Sequence, residues 1–346
     1  MGDQGAGWPV TGHHVAVDLL SRAVRSGDVA HAYLITGPAG VGRSTLALTF
    51  ASALSCAAPA EQRPCGQCSA CRRIARGIYP DVSVTTLASQ AAGSTESDRK
   101  NTRISIDVIR ELRSSISLRP MEGDWRVAII EDADLLSRDA SDSILKTLEE
   151  PPPFVVIVLI ATEFEALPAT IRSRCLHIPL GLLSRAEITA VLIGRGVDAG
   201  QAAMIASISR GRIGQSLELA ADAEALAARR DAVEACLKMI DDPLIALGCA
   251  RRLAEAFRRG QREQVQQQLD LLVGLWRDML LVRIGCADQV VNTDVTDRIT
   301  ALAGRWGPGE IHTGLKATYQ ALIDLCANVL PRLALDYMVV QWPANR

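Results

Sequence analysis

The segment "HAYLITGPAGVGRST" (31–45) constrains the fold of this chain more than any other stretch. A short apolar run enters a loop with glycines at 37, 40 and 42, and the chain leaves it with Ala47, Phe50, Ala51 and Leu54 at helical spacing. A strand, a glycine loop and a helix in that order form the unit in which backbone N–H groups wrap a phosphate and the helix N-terminus adds its field. The spacing is that of G-x-x-x-x-G-K-[ST], but Arg43 stands at the lysine position. Gly37, Gly40, Gly42, Arg43, Ser44 and Thr45 are therefore candidate ATP-binding residues, with Ser44 placed to hold a magnesium ion. A guanidinium keeps the lysine's charge but is broader, planar and differently aimed. Binding is thus expected ahead of turnover, and a tight turn without nucleotide stays open as a reading.

Further strands follow the same logic. "RVAII" (126–130) and "FVVIVLIAT" (154–162) have the continuous apolar character of strands covered on both faces. "SRDASDSILKTLEEPPP" between them predicts a helix stopped by Pro151 to Pro153. Strand and helix in alternation predict an α/β domain with a parallel sheet and flanking helices. From "GLLSR" (181–185) onward the helical period dominates. Val265, Leu269, Leu272, Trp276, Met279 and Leu280 predict one apolar helix face, and Ile311, Leu315, Tyr319, Leu322, Cys326 and Leu330 another. Segment 87–98 reads as a surface loop.

Two carboxylates end the strand 126–130. Nucleotide hydrolysis in this kind of domain uses an Asp near the magnesium followed by a Glu that orients water. Here the order is Glu131 then Asp132, which moves each carboxylate by about one methylene; a misplacement on the order of 1 Å can cost about a hundredfold in rate. Residual metal binding and plain solvation of the strand end both remain open.

Cys56, Cys65, Cys68 and Cys71 have the spacing C-x8-C-x2-C-x2-C in a loop with Pro59, Pro64 and Gly66. Four thiolates on short turns close a tetrahedron around zinc with no open position, so the expected role is structural. With little apolar content, the loop would gain its fold from the metal. The other cysteines read as small core residues, and disulfides are not expected.

"PATIRSRC" (168–175) places Arg174 just beyond a buried strand and a short turn, where it can project from the domain edge. In oligomeric nucleotide hydrolases a neighbour's arginine stabilises charge on the transferred phosphate, but position alone also fits a surface arginine.

Taken together, "HAYLITGPAGVGRST", the cysteine insert, "ILKTLEEPPP" and "LPATIRSRC" resemble the AAA+ clamp-loader family of bacterial DNA polymerase III, nearest to its delta-prime branch. The resemblance implies a nucleotide-binding domain over 1–178 with a zinc module at about 56–71, a helical lid over 179–220 and a helical collar over 221–346. It implies that Arg174 reaches into the ATP site of an adjacent gamma or tau subunit, with no catalysis by this chain itself. The implied partners are gamma or tau and delta subunits in a hetero-pentamer, the sliding clamp, and the backbone of primer-template DNA. Hydrolysing members of the family carry Lys at the position of Arg43, Asp-Glu at Glu131-Asp132, and a lid arginine in G-S-x-R-D-A-L, where "GRIGQSL" (211–217) has Gly214. The alternative is an active gamma or tau type ATPase that tolerates Arg43.

In "RISIDVIRELRSSISLRP" (103–120) Arg110 and Arg113 share a helical face, and the segment resembles the DNA-facing helix of that family. Arginines there would touch phosphates and confer position without sequence preference; a solvated basic face is the other reading. A net charge of −2 excludes a nucleic-acid grip over the whole surface, and 4% aromatic residues are too few for stacking platforms. The longest apolar run, "FVVIVLIA" (154–161), is far short of the roughly 20 residues that span a bilayer. With no basic and apolar leader at the amino terminus, a cytoplasmic location is expected.

Overall fold

Every residue of the run Val155–Ala161 is buried, as a strand covered on both faces must be. It is the middle strand of a five-stranded parallel sheet in the computed structural model, which describes residues 7–93, 103–327 and 329–343. The strands are β1 (Ala32–Thr36), β2 (Val82–Thr85), β3 (Arg126–Ile130), β4 (Val155–Ala161) and β5 (Leu176–Pro179), in the order β2-β3-β4-β1-β5. Helices α1 (His14–Ser26), α2 (Arg43–Leu54), α3 (Ser69–Ala75), α4 (Leu87–Gly93), α5 (Ile106–Ile116), α6 (Arg138–Glu149) and α7 (Ala169–Arg172) complete this part.

The period of two along each strand sorts its side chains between two layers. Tyr33, Ile35, Val156, Val158 and Ile160 pack with Leu20 of α1 and Leu46 and Phe50 of α2. Ala32, Leu34, Ile157 and Leu159 pack with Ile109 and Leu112 of α5 and Ile144 and Leu148 of α6. Each such side chain contributes about 1.5–3 kcal/mol on burial, which is why the two layers hold the sheet between them. The prolines after Glu149 end α6 where the sequence predicts, and Ser137 caps its start by accepting from the N–H of Ala140.

Two compact units divide the chain: 1–184 with 212–214, and 185–211 with 215–346. The lid expected over 179–220 thus falls mostly in the unit that also holds the later helices. That unit contains α8 (Arg185–Gly194), α9 (Ala199–Ile208), most of α10 (Ile213–Ala221), α11 (Ala223–Asp241), α12 (Pro243–Arg258), α13 (Arg262–Arg283), α14 (Thr296–Ala303), α15 (Pro308–Cys326) and α16 (Pro331–Val340). Val265, Leu269, Leu272, Trp276 and Met279 of α13 are buried as predicted.

The stripe predicted on α15 holds in part: Ile311 is buried and Leu315 and Leu322 pack partly buried against the core. The buried face of the helix is Ile311, Gly314, Thr318, Ala321 and Leu325, whereas Tyr319 is exposed and Leu330 lies beyond the helix. The cause is Trp276: a Cβ on Gly314 would lie 2.8 Å from its ring, so only this small-residue face lets α15 approach. Residues 87–93 of the expected surface loop form α4; 94–98 lie outside the described residues. Among the described residues no helix is long and apolar enough to cross a membrane.

Candidate functional site

The glycine loop joins β1 to α2 at the carboxyl edge of the sheet, where parallel α/β domains bind ligands. Gly37 has φ 147°, and a Cβ there would lie 2.2 Å from the carbonyl oxygen of Leu180, so no other residue fits. Further along, the Gly40 carbonyl accepts the N–H of Gly214 at 2.8 Å, and the Val41 carbonyl pairs with Nε2 of His13 at 3.0 Å. A trans peptide sets C=O and N–H on opposite sides. Holding these two carbonyls outward therefore turns the N–H groups of Val41 and Gly42 the other way, as an anion nest requires. Arg43, Ser44 and Thr45 open α2, whose first N–H groups have no partner within the helix. Gly214 belongs, with Arg212 and Ile213, to the same unit as the loop. A Cβ on Gly214 would come within 3.1 Å of the Gly40 oxygen, so a side chain there would crowd this backbone contact.

Glu131 and Asp132 end β3 at this same edge. Asp132 has φ 53° and ψ 40°, a left-handed conformation that Asp tolerates better than most residues, and it leads into the turn Ala133–Leu135. Asp134 accepts from Thr162 Oγ1 at 2.5 Å and from its N–H at 3.4 Å, tying that turn to the end of β4.

Cys56, Cys65, Cys68 and Cys71 converge, with all four Sγ atoms within 4.8 Å of one another. Sulfurs around a tetrahedral zinc at about 2.3 Å stand roughly 3.8 Å apart, and Cys68 and Cys56 are already 3.9 Å apart. The sulfurs also accept backbone N–H groups: Cys56 from Ala58 and Cys65, Cys65 from Cys68, Cys68 from Cys71. Burial pushes the Cys56 and Cys71 thiols up. N–H groups of Gln67 and Cys68 lower Cys65. At Cys68 burial opposes ionisation, but hydrogen bonds from the Cys71 and Ala57 N–H groups outweigh it and bring the thiol to about 6. Four sulfurs, two of them buried, with N–H groups directed at them, make a donor set that fits a closed zinc site.

Arg174 follows α7 and precedes β5. Its Nη1 donates to the Thr170 carbonyl at 2.9 Å and to Ser173 Oγ at 3.3 Å, and its Nη2 to Glu149 Oε1 at 2.8 Å. Arg110 and Arg113 lie on α5 beside a groove of about 690 Å³ whose far side is α6. Arg110 pairs with Asp107 at 3.1 Å, and Arg113 donates to Thr147 Oγ1 and Ser143 Oγ, so the two arginines differ in freedom.

The structure gathers the loop residues and the Glu131–Asp132 pair at one sheet edge, and the four cysteines in one cluster. It sets Arg110, Arg113 and Arg174 around α6. Sequence reasoning missed Lys146, which lines the groove, and Glu149, although both stand in the quoted "ILKTLEEPPP". It also missed Thr162 and Arg212; the latter packs against Gly40, although it stands in the quoted "GRIGQSL".

Two family models match the chain, "DNA polymerase III, delta subunit" over residues 12–183 and "DNA polymerase III, delta subunit, C terminal" over 249–342. The DNA polymerase III subunit gamma of Buchnera aphidicola subsp. Schizaphis graminum is 34% identical over 52% of this chain and 46% of its own length. The subunit tau/gamma of Haemophilus influenzae is 31% identical over 67% of this chain and 33% of its own length. The chain thus matches about half or less of these curated relatives. A solved gamma subunit-related protein of Thermotoga maritima superimposes with a TM-score of 0.48 at 17% identity, covering 94% of this chain and 97% of that one. With the parallel sheet, the glycine loop and the matches to delta, gamma and tau subunits in agreement, this chain belongs to the AAA+ clamp-loader family of DNA polymerase III.

Proposed function

We propose that this chain is the delta-prime type of clamp-loader subunit: a stationary, non-hydrolysing member of the ring that supplies Arg174 to the ATP site of a neighbouring gamma or tau subunit. The observation that carries this reading is at the glycine loop. Where hydrolysing members have a lid arginine, Gly214 instead bonds its backbone to Gly40, and the loop has Arg43 in place of lysine. The inverted pair Glu131–Asp132 supports it, since water would be oriented by the shorter side chain. In this role the loop binds ATP and magnesium weakly or only as a fold element. The cysteine cluster holds one structural zinc, and the partners are gamma or tau, delta, the sliding clamp and primer-template DNA. The groove cations Arg110, Arg113 and Lys146 contact the DNA backbone through phosphates.

The test is steady-state ATP hydrolysis by the reconstituted complex carrying Arg174→Ala. Removing an arginine supplied in trans costs on the order of 10³-fold or more at the site it serves. An unchanged rate overturns the assignment of Arg174.

A second reading, an active gamma or tau type ATPase, is favoured by the names of the curated relatives. It requires turnover by a complex in which this chain holds the sole intact glycine loop, which the first reading forbids.

A further inference from the structure

The carboxyl end of a helix is the wrong place for an acidic side chain, because the helix dipole presents negative charge there. Yet α6 ends in Glu149 with Glu150 after it, and the prolines that follow fix that end in place. Glu149 meets this field by pairing with Arg174 at 2.8 Å. Arg174 is thereby held by three acceptors on two elements: Thr170 and Ser173 beside its own turn, and Glu149 on α6. A free arginine side chain samples many rotamers; one fixed at three points is already aimed.

We infer that Glu149 is a positioning residue for Arg174, an inference that rests on the reading of Arg174 as an arginine acting in trans. The side chains of Arg174 and Glu149 are 35% and 52% exposed. A pair in such contact with water is weak, so a triphosphate, with its higher charge, draws the guanidinium away at little cost. Glu149 thus orients Arg174 without trapping it. Lys146 and Arg113 line the same groove as Glu149. In the transition state the benefit is geometric: the arginine starts near its working position, and a misplacement on the order of 1 Å is enough to cost much of its effect.

The experiment is ATP kinetics of the reconstituted complex with Glu149→Ala and Glu149→Gln, each alone and combined with Arg174→Ala, after assembly has been checked by gel filtration. Glu149→Ala lowers kcat several-fold and leaves KM within about twofold, because the interaction it supports is made in the transition state. Glu149→Gln, which keeps an acceptor at the same place, recovers at least half of the loss. In the Arg174→Ala background Glu149→Ala changes nothing further, since the two residues act as one unit. An effect of Glu149→Ala that persists without Arg174, that falls on KM, or that is absent altogether overturns the inference. If Arg174→Ala alone leaves kcat unchanged, the trans role of Arg174 fails first and Glu149 fails with it. A normal Arg174 dependence with an additive Glu149 effect removes only Glu149.

Discussion

The backbone N–H of Gly214 donates to the carbonyl of Gly40 at 2.8 Å, and a side chain at 214 would stand 3.1 Å from that oxygen. Gly214→Ala pushes the two backbones apart by a few tenths of an ångström, and overpacking of this kind costs about 1–3 kcal/mol. The unit that holds the loop then unfolds a few degrees lower in differential scanning calorimetry. An unchanged transition means that the contact is not required for the loop's conformation.

The cysteine cluster makes a stoichiometric prediction. Protein purified without chelator contains about one zinc per chain by elemental analysis, because four converging sulfurs satisfy one tetrahedral ion. Cys68→Ser drops the content well below one. Since ligand thiols lose their protons on binding, chelator-resistant zinc falls as the buffer is made more acidic. Metal content that is indifferent to Cys68→Ser rules out this site.

On α5 the two arginines predicted to face DNA are not equivalent. Arg113 is engaged by Ser143 and Thr147 of α6, so Arg113→Ala disturbs the packing of the helix pair as well as any ligand. Lys146 in the same groove offers the cleaner test. Lys146→Ala weakens binding of primer-template DNA by the assembled complex equally for all sequences, and lowers the slope of log affinity against log salt by about 1. A sequence-dependent loss, or none, excludes a phosphate contact.

What was legible in the sequence was what repeats or punctuates. The three strands read from apolar runs are the inner ones, β1, β3 and β4; the missed β2 and β5 are the sheet edges. Val82–Thr85 and Leu176–Pro179 are four residues each and only partly buried, so neither offers the continuous apolar run that marks a strand. The cysteine spacing led to a real cluster because its turns are local. The Glu149–Arg174 and Gly40–Gly214 pairs were not legible, since they join residues 25 and 174 apart in sequence and depend on how α6, β5 and the loop are placed. On α15 Ile311, Leu315 and Leu322 of the predicted stripe meet the core, but its centre was misplaced, because Trp276, from another helix, packs on the small face at Gly314.

Alkaline stability provides the last prediction. Cys236 on α11 is fully buried, and burial pushes its thiol up to about 12, with Cys249 adding to the effect. In the unfolded chain the same thiol has its ordinary value of about 8.5. A group whose folded value is raised contributes stability that is complete below the unfolded value and disappears as the pH rises toward the folded one. The unit holding α11 therefore loses stability between about pH 9 and pH 12, and Cys236→Ala, which cannot ionise, flattens that part of the curve. The substitution also removes a buried sulfur, so the midpoint at neutral pH falls by a cavity cost while the slope above pH 9 is reduced. Denaturant midpoints measured at pH 7, 9 and 10.5 separate the two effects: an equal drop at every pH means that Cys236 only fills space.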